Sequence, residues 1–495
     1  MGTIQMLNAI DNGFEGKVYP IHLKRKTVLE RQAYETIKDV PRVPDLALIV
    51  ISAKNALQVL RELGDQGVKH VIIVTGGFRE TGNNEREKEL KEIAEQYGIR
   101  FLGPNCIGVL NANHKTKRDG EELNDTFNCT WVNYPSKPGN VSIVSQSGTF
   151  TCHTFMTLQE RGLNLDKAIS VGNEANMDIV DCLEYMKDCE TTDVICMYIE
   201  EIKRGREFIR VAKQITPKKP IIAIYVGGTD GGASAVSSHT GSMAGNDNIY
   251  NAVFDQCGVV RVYTMEELMD TARIMSNYVP RGIIPKGNRL GIATNSGGPA
   301  AQMSDNASRL DMCVPRFSER TQKRLKRHVY TTASVKNPVD YTFSINPAQF
   351  YDTVPRVICR SGEIDVFISY GAFGPEYFSF QGFGKKYMNS EAAMKGKKDY
   401  MELLHASVKT SKKFPEKYGI PFVYINPLGP DDEVFGYLND NDFPTFRMPH
   451  QATVAVKNFL KYAEYYRKVH KEDFTTCTDC MINLKPVKNK QIKKE

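Results

Sequence analysis

The sequence predicts an α/β protein whose parallel sheets are covered by helices. Three observations predict it. Short apolar runs alternate with polar segments of helical composition. Runs such as Leu46–Ile51 are apolar at successive positions, as strands covered on both faces require. A strand, a turn of small residues and a helix follow one another at Val141–Thr149 and again at Arg289–Pro299. Such alternation implies parallel sheets with right-handed crossovers, whose ligands bind beyond the carboxyl ends of the strands. A chain of 495 residues is too long for one core, and about three domains are expected.

The first unit opens with helix-like Ile4–Ile10. Its apolar runs are Lys17–Ile21, Leu46–Ser52, Val71–Thr75 and Arg100–Gly103, with helices at Lys54–Gly64 and Glu85–Tyr97. The strand ends carry Ser52-Ala53, Thr75-Gly76-Gly77 and Gly103-Pro104-Asn105, small residues that let a ligand approach the backbone. Nucleotide-binding folds of this kind open with a strand and a glycine-rich phosphate loop. Here Met1-Gly2-Thr3 leads straight into the helical segment, so that strand and loop are expected to be missing.

A second unit begins after Pro138-Gly139. Its strands are Val141–Val144, Ala168–Val171, Val194–Ile199 and Pro220–Tyr225. The turn Ser145-Gln146-Ser147-Gly148-Thr149 leads into a helix ending near Arg161, and a helix start of this kind suits an anion. Glu200 and Glu201 close one strand, either as a solvated acidic pair or as a holder for an imidazole. A third unit starts near Lys286. Its strand Arg289–Thr294, turn Asn295-Ser296-Gly297-Gly298-Pro299 and helix to about Leu310 repeat the arrangement, with Pro299 suited to a first helical turn. Asn337-Pro338-Val339-Asp340 forms a further turn, and strands follow at Ile364–Tyr370 and Phe422–Asn426. Pro375–Lys398 has the composition of an insertion, and a terminal helix is expected from about Gln451 to Lys468.

Between these units lies Ser237-Ser-His-Thr-Gly-Ser-Met-Ala-Gly245, preceded by Gly227-Gly-Thr-Asp-Gly-Gly-Ala-Ser234. This composition favours neither helix nor strand and predicts an exposed, mobile loop of about 15 residues. Its single imidazole, His239, is either incidental or a nucleophile and proton carrier near neutral pH.

Composition narrows the remaining classes. The net charge of +6 is small and concentrated toward Lys485–Lys494, a solvated tail rather than a nucleic-acid surface. The 11 cysteines lack a disulfide-framework spacing and no signal peptide is evident, which implies a reducing cytoplasm. Cys477 and Cys480 have CxxC spacing without a second pair to complete a zinc site, and no metal is expected. No apolar run reaches membrane-spanning length. A nicotinamide oxidoreductase is disfavoured because no GxGxxG is present.

Six segments occur together in one order: Gly103-Pro-Asn-Cys-Ile-Gly108, Val144-Ser-Gln-Ser-Gly-Thr149, Val171-Gly-Asn173, Ser237–Gly245, Thr294-Asn-Ser-Gly-Gly-Pro299 and Asn337-Pro-Val-Asp340. In these the chain resembles the NDP-forming acyl-CoA synthetases, relatives of succinyl-CoA synthetase, and most of all their alpha part. The resemblance covers residues 2–345 well and the remainder loosely. It implies a Rossmann-like CoA-binding domain followed by two flavodoxin-like ligase domains. The expected boundaries are 1–136, 137–280 and 286–470, with a basic tail at 471–495.

The resemblance also implies a chemistry. Acyl-CoA, NDP and phosphate interconvert with carboxylic acid, NTP and CoA through a phosphohistidine. His239 matches that histidine and Glu200 the acid that orients it, with Glu201 as the adjacent alternative. Ser147, Gly148 and Thr149, and Ser296, Gly297 and Gly298, match the two phosphate-holding helix starts. Asn173 and Asp340 match positions near the site. Lys24, Ser52, Ala53, Thr75, Gly76 and Asn105 match CoA contacts. The missing glycine loop would forfeit charge-assisted hydrogen bonds of about 1.5–3 kcal/mol each. No ATP-grasp domain is evident, so nucleotide and Mg2+ are expected through a separate ATP-grasp beta-type subunit, in a hetero-oligomer with no nucleic acid and no membrane involved. The alternative is a non-catalytic regulatory relative that binds acyl-CoA or CoA.

Overall fold

The computed structural model describes residues 2–118, 120–133, 137–240, 245–342, 344–371, 373, 374 and 390–477, with backbone alone at 118, 159 and 237–240. The chain divides into two compact units, Met1–Ala272 and Arg273–Glu495.

The first unit contains a small parallel sheet of Ala47–Ile49, His70–Ile73 and Arg100–Leu102. The helices Ala53–Asp65 and Asn84–Tyr97 pack on it. The apolar stripe Ala56, Leu60 and Leu63 meets Leu90, Ile93 and Ala94 across this layer. Each large aliphatic side chain buried there contributes about 1.5–3 kcal/mol. The helix Gly2–Asp11 is built as expected, but Lys17–Ile21 is not a strand. Only Ile21 forms an isolated bridge, to Tyr34.

The same unit holds a seven-stranded sheet in the order Val260–Val262, Ile221–Tyr225, Val194–Ile199, Val141–Ser145, Leu165–Ser170, Val109–Arg118, Glu121–Asn128. The first five strands are parallel, and the last two form an antiparallel ribbon. The ribbon was not anticipated: its residues are polar and alternate weakly, because one long arm is exposed. Its partner is the edge strand Leu165–Ser170, so residues 109–128 complete a sheet otherwise made by residues 141–262.

The second unit centres on a six-stranded sheet ordered Ser334–Val335, Val339–Asp340, Leu290–Thr294, Val366–Tyr370, Phe422–Ile425, Thr445–Phe446. Only the first pair is antiparallel. The terminal helix is Pro449–His470. Of the expected insertion, 375–389 lies outside the described residues. From Glu391 onward the chain is helical to Ser411, because Ser390 caps the Ala393 N–H and Met401, Leu404 and Val408 bury one face. The chain just after the terminal helix is tied to the second unit: Thr475 bridges Gly287, Cys477 N–H donates to Asn288 Oδ1 at 2.8 Å, and Cys477 Sγ lies 2.7 Å from Cys313 Sγ, while Lys485–Lys494 lies outside the described residues. Cys480 lies outside the described residues.

Candidate active site

The expected 15-residue loop is largely a helix, Asp230–Thr240. Composition alone missed it because the start is reinforced locally. Thr229 accepts from Ala233 N–H on its carbonyl at 2.7 Å and from Gly232 N–H on its hydroxyl at 3.1 Å. Asp230 stands in the first turn, where a carboxylate complements the helix dipole. Val236 is buried beneath it. His239 is in the last turn by its backbone; its side chain and residues 241–244 lie outside the described residues.

Two tyrosines that sequence reasoning passed over tie this segment to the Glu200 turn. Tyr225 and Tyr250 stack with ring centroids 3.6 Å apart. The Tyr225 hydroxyl accepts from Gly245 N–H and donates to the Gly245 carbonyl, both at 2.9 Å. The Tyr250 hydroxyl accepts from Ile202 N–H at 3.1 Å. The end of the histidine segment and the residue after Glu201 are therefore anchored to one aromatic pair.

Glu200 is buried at the end of Val194–Ile199. Gln146, the second residue of the turn Ser145–Thr149, holds its backbone. The Gln146 Oε1 accepts from the N–H groups of Glu200 and Glu201, and its Nε2 donates to the Glu201 carbonyl at 2.8 Å. The Gln146 side chain also lies beside the Glu174 carboxyl. Burial pushes the Glu174 carboxyl up to about 7, against the pull of the Lys203 ammonium and of Gln146.

The turn beside Gln146 has the predicted design. The Ser145 hydroxyl donates to the Ser147 carbonyl at 2.7 Å and accepts from Ser147 N–H at 3.1 Å, closing the turn. Ser147 Oγ then accepts from Phe150 N–H at 3.3 Å, capping the helix Gly148–Leu158. A Cβ on Gly148 would stand 2.6 Å from Ile107 Cγ2, so glycine is required by packing. Thr149 is exposed at the helix start. In the second unit Ser296, Gly297 and Gly298 begin the helix Gly297–Arg309, with Gly297 and Gly298 exposed. Asp340 Oδ2 would be 3.4 Å from a Cβ on Gly297, which places this carboxylate beside the helix start.

The residues matched to CoA divide into two groups. Ser52, Ala53, Thr75, Gly76 and Asn105 all lie at the carboxyl ends of the three-stranded sheet. Ser52 is the N-cap of Ala53–Asp65, and its side chain makes no capping bond. Thr75 Oγ1 donates to the Ile51 carbonyl at 2.7 Å, and Asn105 N–H donates to the Thr75 carbonyl at 2.9 Å. Gly76 is exposed between Asn105 and Glu80. The helix start at Ser52, whose hydroxyl makes no capping bond, is of the kind that suits an anionic, phosphate-bearing ligand. Lys24 is separate from them. It is exposed, its N–H donates to His22 Nδ1 at 3.1 Å, and it precedes the hairpin Thr27–Val28/Arg31–Gln32.

Among the described residues no group of three or more His, Cys, Asp or Glu is arranged to hold a metal ion, and no helix is long and apolar enough to cross a membrane.

Known proteins share this architecture. Residues 3–112 match the CoA binding domain, and residues 138–275 match the succinyl-CoA ligase like flavodoxin domain. These two modules, together with curated relatives that are ADP-forming CoA ligases, define the class as an acid–thiol ligase acting on CoA. The chain is 39% identical over 356 residues to the acetate–CoA ligase (ADP-forming) II subunit alpha of Pyrococcus furiosus, covering 72% of this chain and 74% of that one. It is 33% identical over 479 residues to the corresponding I subunit alpha, covering 95% of both. The structure of the Ca. Korarchaeum cryptofilum dinucleotide forming acetyl-coenzyme A synthetase 1, in complex with phosphate and ADP, superposes with a TM-score of 0.76 at 29% identity, covering 94% of this chain and 93% of that one. The chain belongs to the NDP-forming acyl-CoA synthetase family, as an alpha-type chain of the succinyl-CoA synthetase superfamily. These likenesses favour the synthetase over the regulatory alternative.

Proposed function

We propose that this chain forms and discharges a phosphohistidine at His239 in the interconversion of acyl-CoA, NDP and phosphate with carboxylic acid, NTP and CoA. Phosphate displaces CoA from the acyl carbonyl to give an acyl phosphate. The imidazole then attacks phosphorus, the carboxylate leaves, and the phosphoryl group passes on to NDP. Such transfer depends on positioning and on charge stabilisation more than on covalent work by the protein. Ser147, Gly148 and Thr149, and Ser296, Gly297 and Gly298, supply N–H donors and helix dipoles for that charge. Glu200 orients the imidazole. Lys24, Ser52, Ala53, Thr75, Gly76 and Asn105 hold CoA. The domains run 1–136, 137–280 and 286–470, with a basic tail at 471–495.

Two relatives named as alpha subunits support a separate partner chain. That partner is an ATP-grasp beta-type subunit supplying nucleotide and Mg2+, in a cytoplasmic hetero-oligomer. The observation that carries the reading is the anchoring of the histidine segment and the Glu200 turn to one tyrosine pair. The test is intact-mass analysis after incubating the chain with an acyl phosphate, and with NTP plus the partner. An acid-labile gain of one phosphate, lost in His239→Ala, is expected. Equal labelling of His239→Ala and wild type would overturn it.

A further inference from the structure

The first unit contains a buried polar knot centred on Asn173, which is 2% exposed and follows the strand Leu165–Ser170. Its Nδ2 donates to Glu80 Oε2 at 2.6 Å and to Glu87 Oε2 at 3.2 Å. Its Oδ1 accepts from Asn105 Nδ2 at 3.3 Å. Its backbone carbonyl accepts from Arg79 Nη2 at 3.1 Å and from Lys203 Nζ at 2.8 Å. One side chain therefore meets a strand end, the turn after another strand end, and the helix Asn84–Tyr97.

Glu80 completes the knot. Its carboxylate also accepts from the N–H groups of Gly77 and Phe78. Burial alone would raise its carboxyl, but the Asn173 amide and these backbone donors outweigh burial and hold it below the usual range. The stretch Gly76–Thr81 is thus pinned from both ends. It begins at the strand end assigned above to CoA. Its far end, Arg79–Thr81, packs on the helix Asp230–Thr240 that bears His239.

An amide is the side chain this place needs. It offers two N–H donors to two carboxylates without adding charge. Alanine would leave Glu80 and the buried Glu87 short of donors, the costly way to lose a hydrogen bond. Aspartate would put a third carboxylate in the knot.

We propose that Asn173 is a positioning residue that locks the Gly76–Thr81 turn between the CoA cleft and the histidine-bearing helix, so that the CoA-dependent half of the reaction requires it. This rests on the CoA and His239 assignments above, and the experiment separates the two. In the assembled enzyme with its nucleotide-binding partner, phosphohistidine formation from NTP is followed without CoA in single turnover. The KM for CoA and kcat are measured in steady state.

Asn173→Ala is expected to raise the KM for CoA about tenfold while phosphohistidine formation stays within about twofold. Glu80→Gln keeps acceptors for Gly77 and Phe78 but sets an amide against the Asn173 donors, and is expected to raise KM about threefold. The double variant is expected to be no worse than Asn173→Ala alone, because both act through one clamp. If Asn173→Ala does not fold, Glu80→Gln carries the test. Unchanged KM in these variants of an active enzyme overturns the clamp alone, as does an equal fall in phosphohistidine formation and turnover at fixed KM. A wild-type enzyme that forms no phosphohistidine overturns the underlying function and the clamp with it.

Discussion

The turns Ser145–Thr149 and Thr294–Gly298 share a local design and differ in what surrounds them. In each, the hydroxyl of the last strand residue closes the turn. Ser145 does so on Ser147, and Thr294 donates to the Ser296 carbonyl at 3.1 Å while accepting from Ser296 N–H at 3.0 Å. In each, the next residue is an amide. Gln146 reaches to the Glu200–Glu201 backbone, whereas Asn295 donates to the Ser344 and Gly371 carbonyls, both at 3.4 Å. Gly148 is packed against Ile107, whereas Gly298 faces open space. A carboxylate, Asp340, already stands beside the second helix start. The same backbone device can therefore be wired to a neighbouring acid or braced on its own loops, and the wiring sets what each can do.

The sharpest break of this comparison is at the two amides. Gln146→Ala is expected to slow phosphohistidine formation on the order of 10- to 100-fold, because the Glu200 turn is released. Asn295→Ala is expected to leave that rate within a few-fold and to destabilise the second unit by about 1–3 kcal/mol instead. Single-turnover kinetics and urea unfolding read the two effects. Equal slowing in both variants would erase the distinction.

The glycines give a smaller, purely energetic contrast. Gly148→Ala forces the new Cβ onto Ile107 and is expected to cost about 1–3 kcal/mol. Gly298→Ala meets nothing within 4 Å and removes glycine's helix penalty, so a gain of about 0.5–1 kcal/mol is expected. Denaturant midpoints of the two variants check the signs.

The smallest effect is a pH dependence confined to the Gln146 side. Glu174 has a carboxyl raised to about 7 by burial. A raised acid binds its proton more tightly folded than unfolded, so its stabilising contribution is complete below the unfolded pKa. It is lost as pH rises through the window between about 4.5 and about 7. Glu174→Gln is expected to flatten the decline of Tm across that window by about 2–4 °C. A parallel decline in wild type and variant would assign the slope to other groups.

Much of the framework was legible from local pattern. The strand Val194–Ile199 and helices near 54–64, 85–97 and 451–468 follow from apolar runs and 3.6-residue periodicity, which report burial directly. The helix around His239 was not legible, because small residues carry little propensity and its start depends on Thr229 and on Val236 finding a core. The helix that begins within the expected insertion was not legible for a related reason: the burying face of Glu391–Ser411 is sparse in a lysine-rich segment.

By itself the sequence determined the α/β class, the two strand–turn–helix motifs and the residue types offered at strand ends. These depend on periodicity and on glycine and hydroxyl chemistry within a few neighbours. Tertiary structure alone decided that the ribbon 109–128 joins the sheet of residues 141–262. It also decided that Tyr225 and Tyr250 hold the histidine segment beside the Glu200 turn, and that Asn173 gathers Glu80, Glu87 and Asn105. Those partners are separated by 20 to more than 90 positions in the chain. Hydrogen bonds act over about 3 Å, so only the folded topology can bring such groups within range.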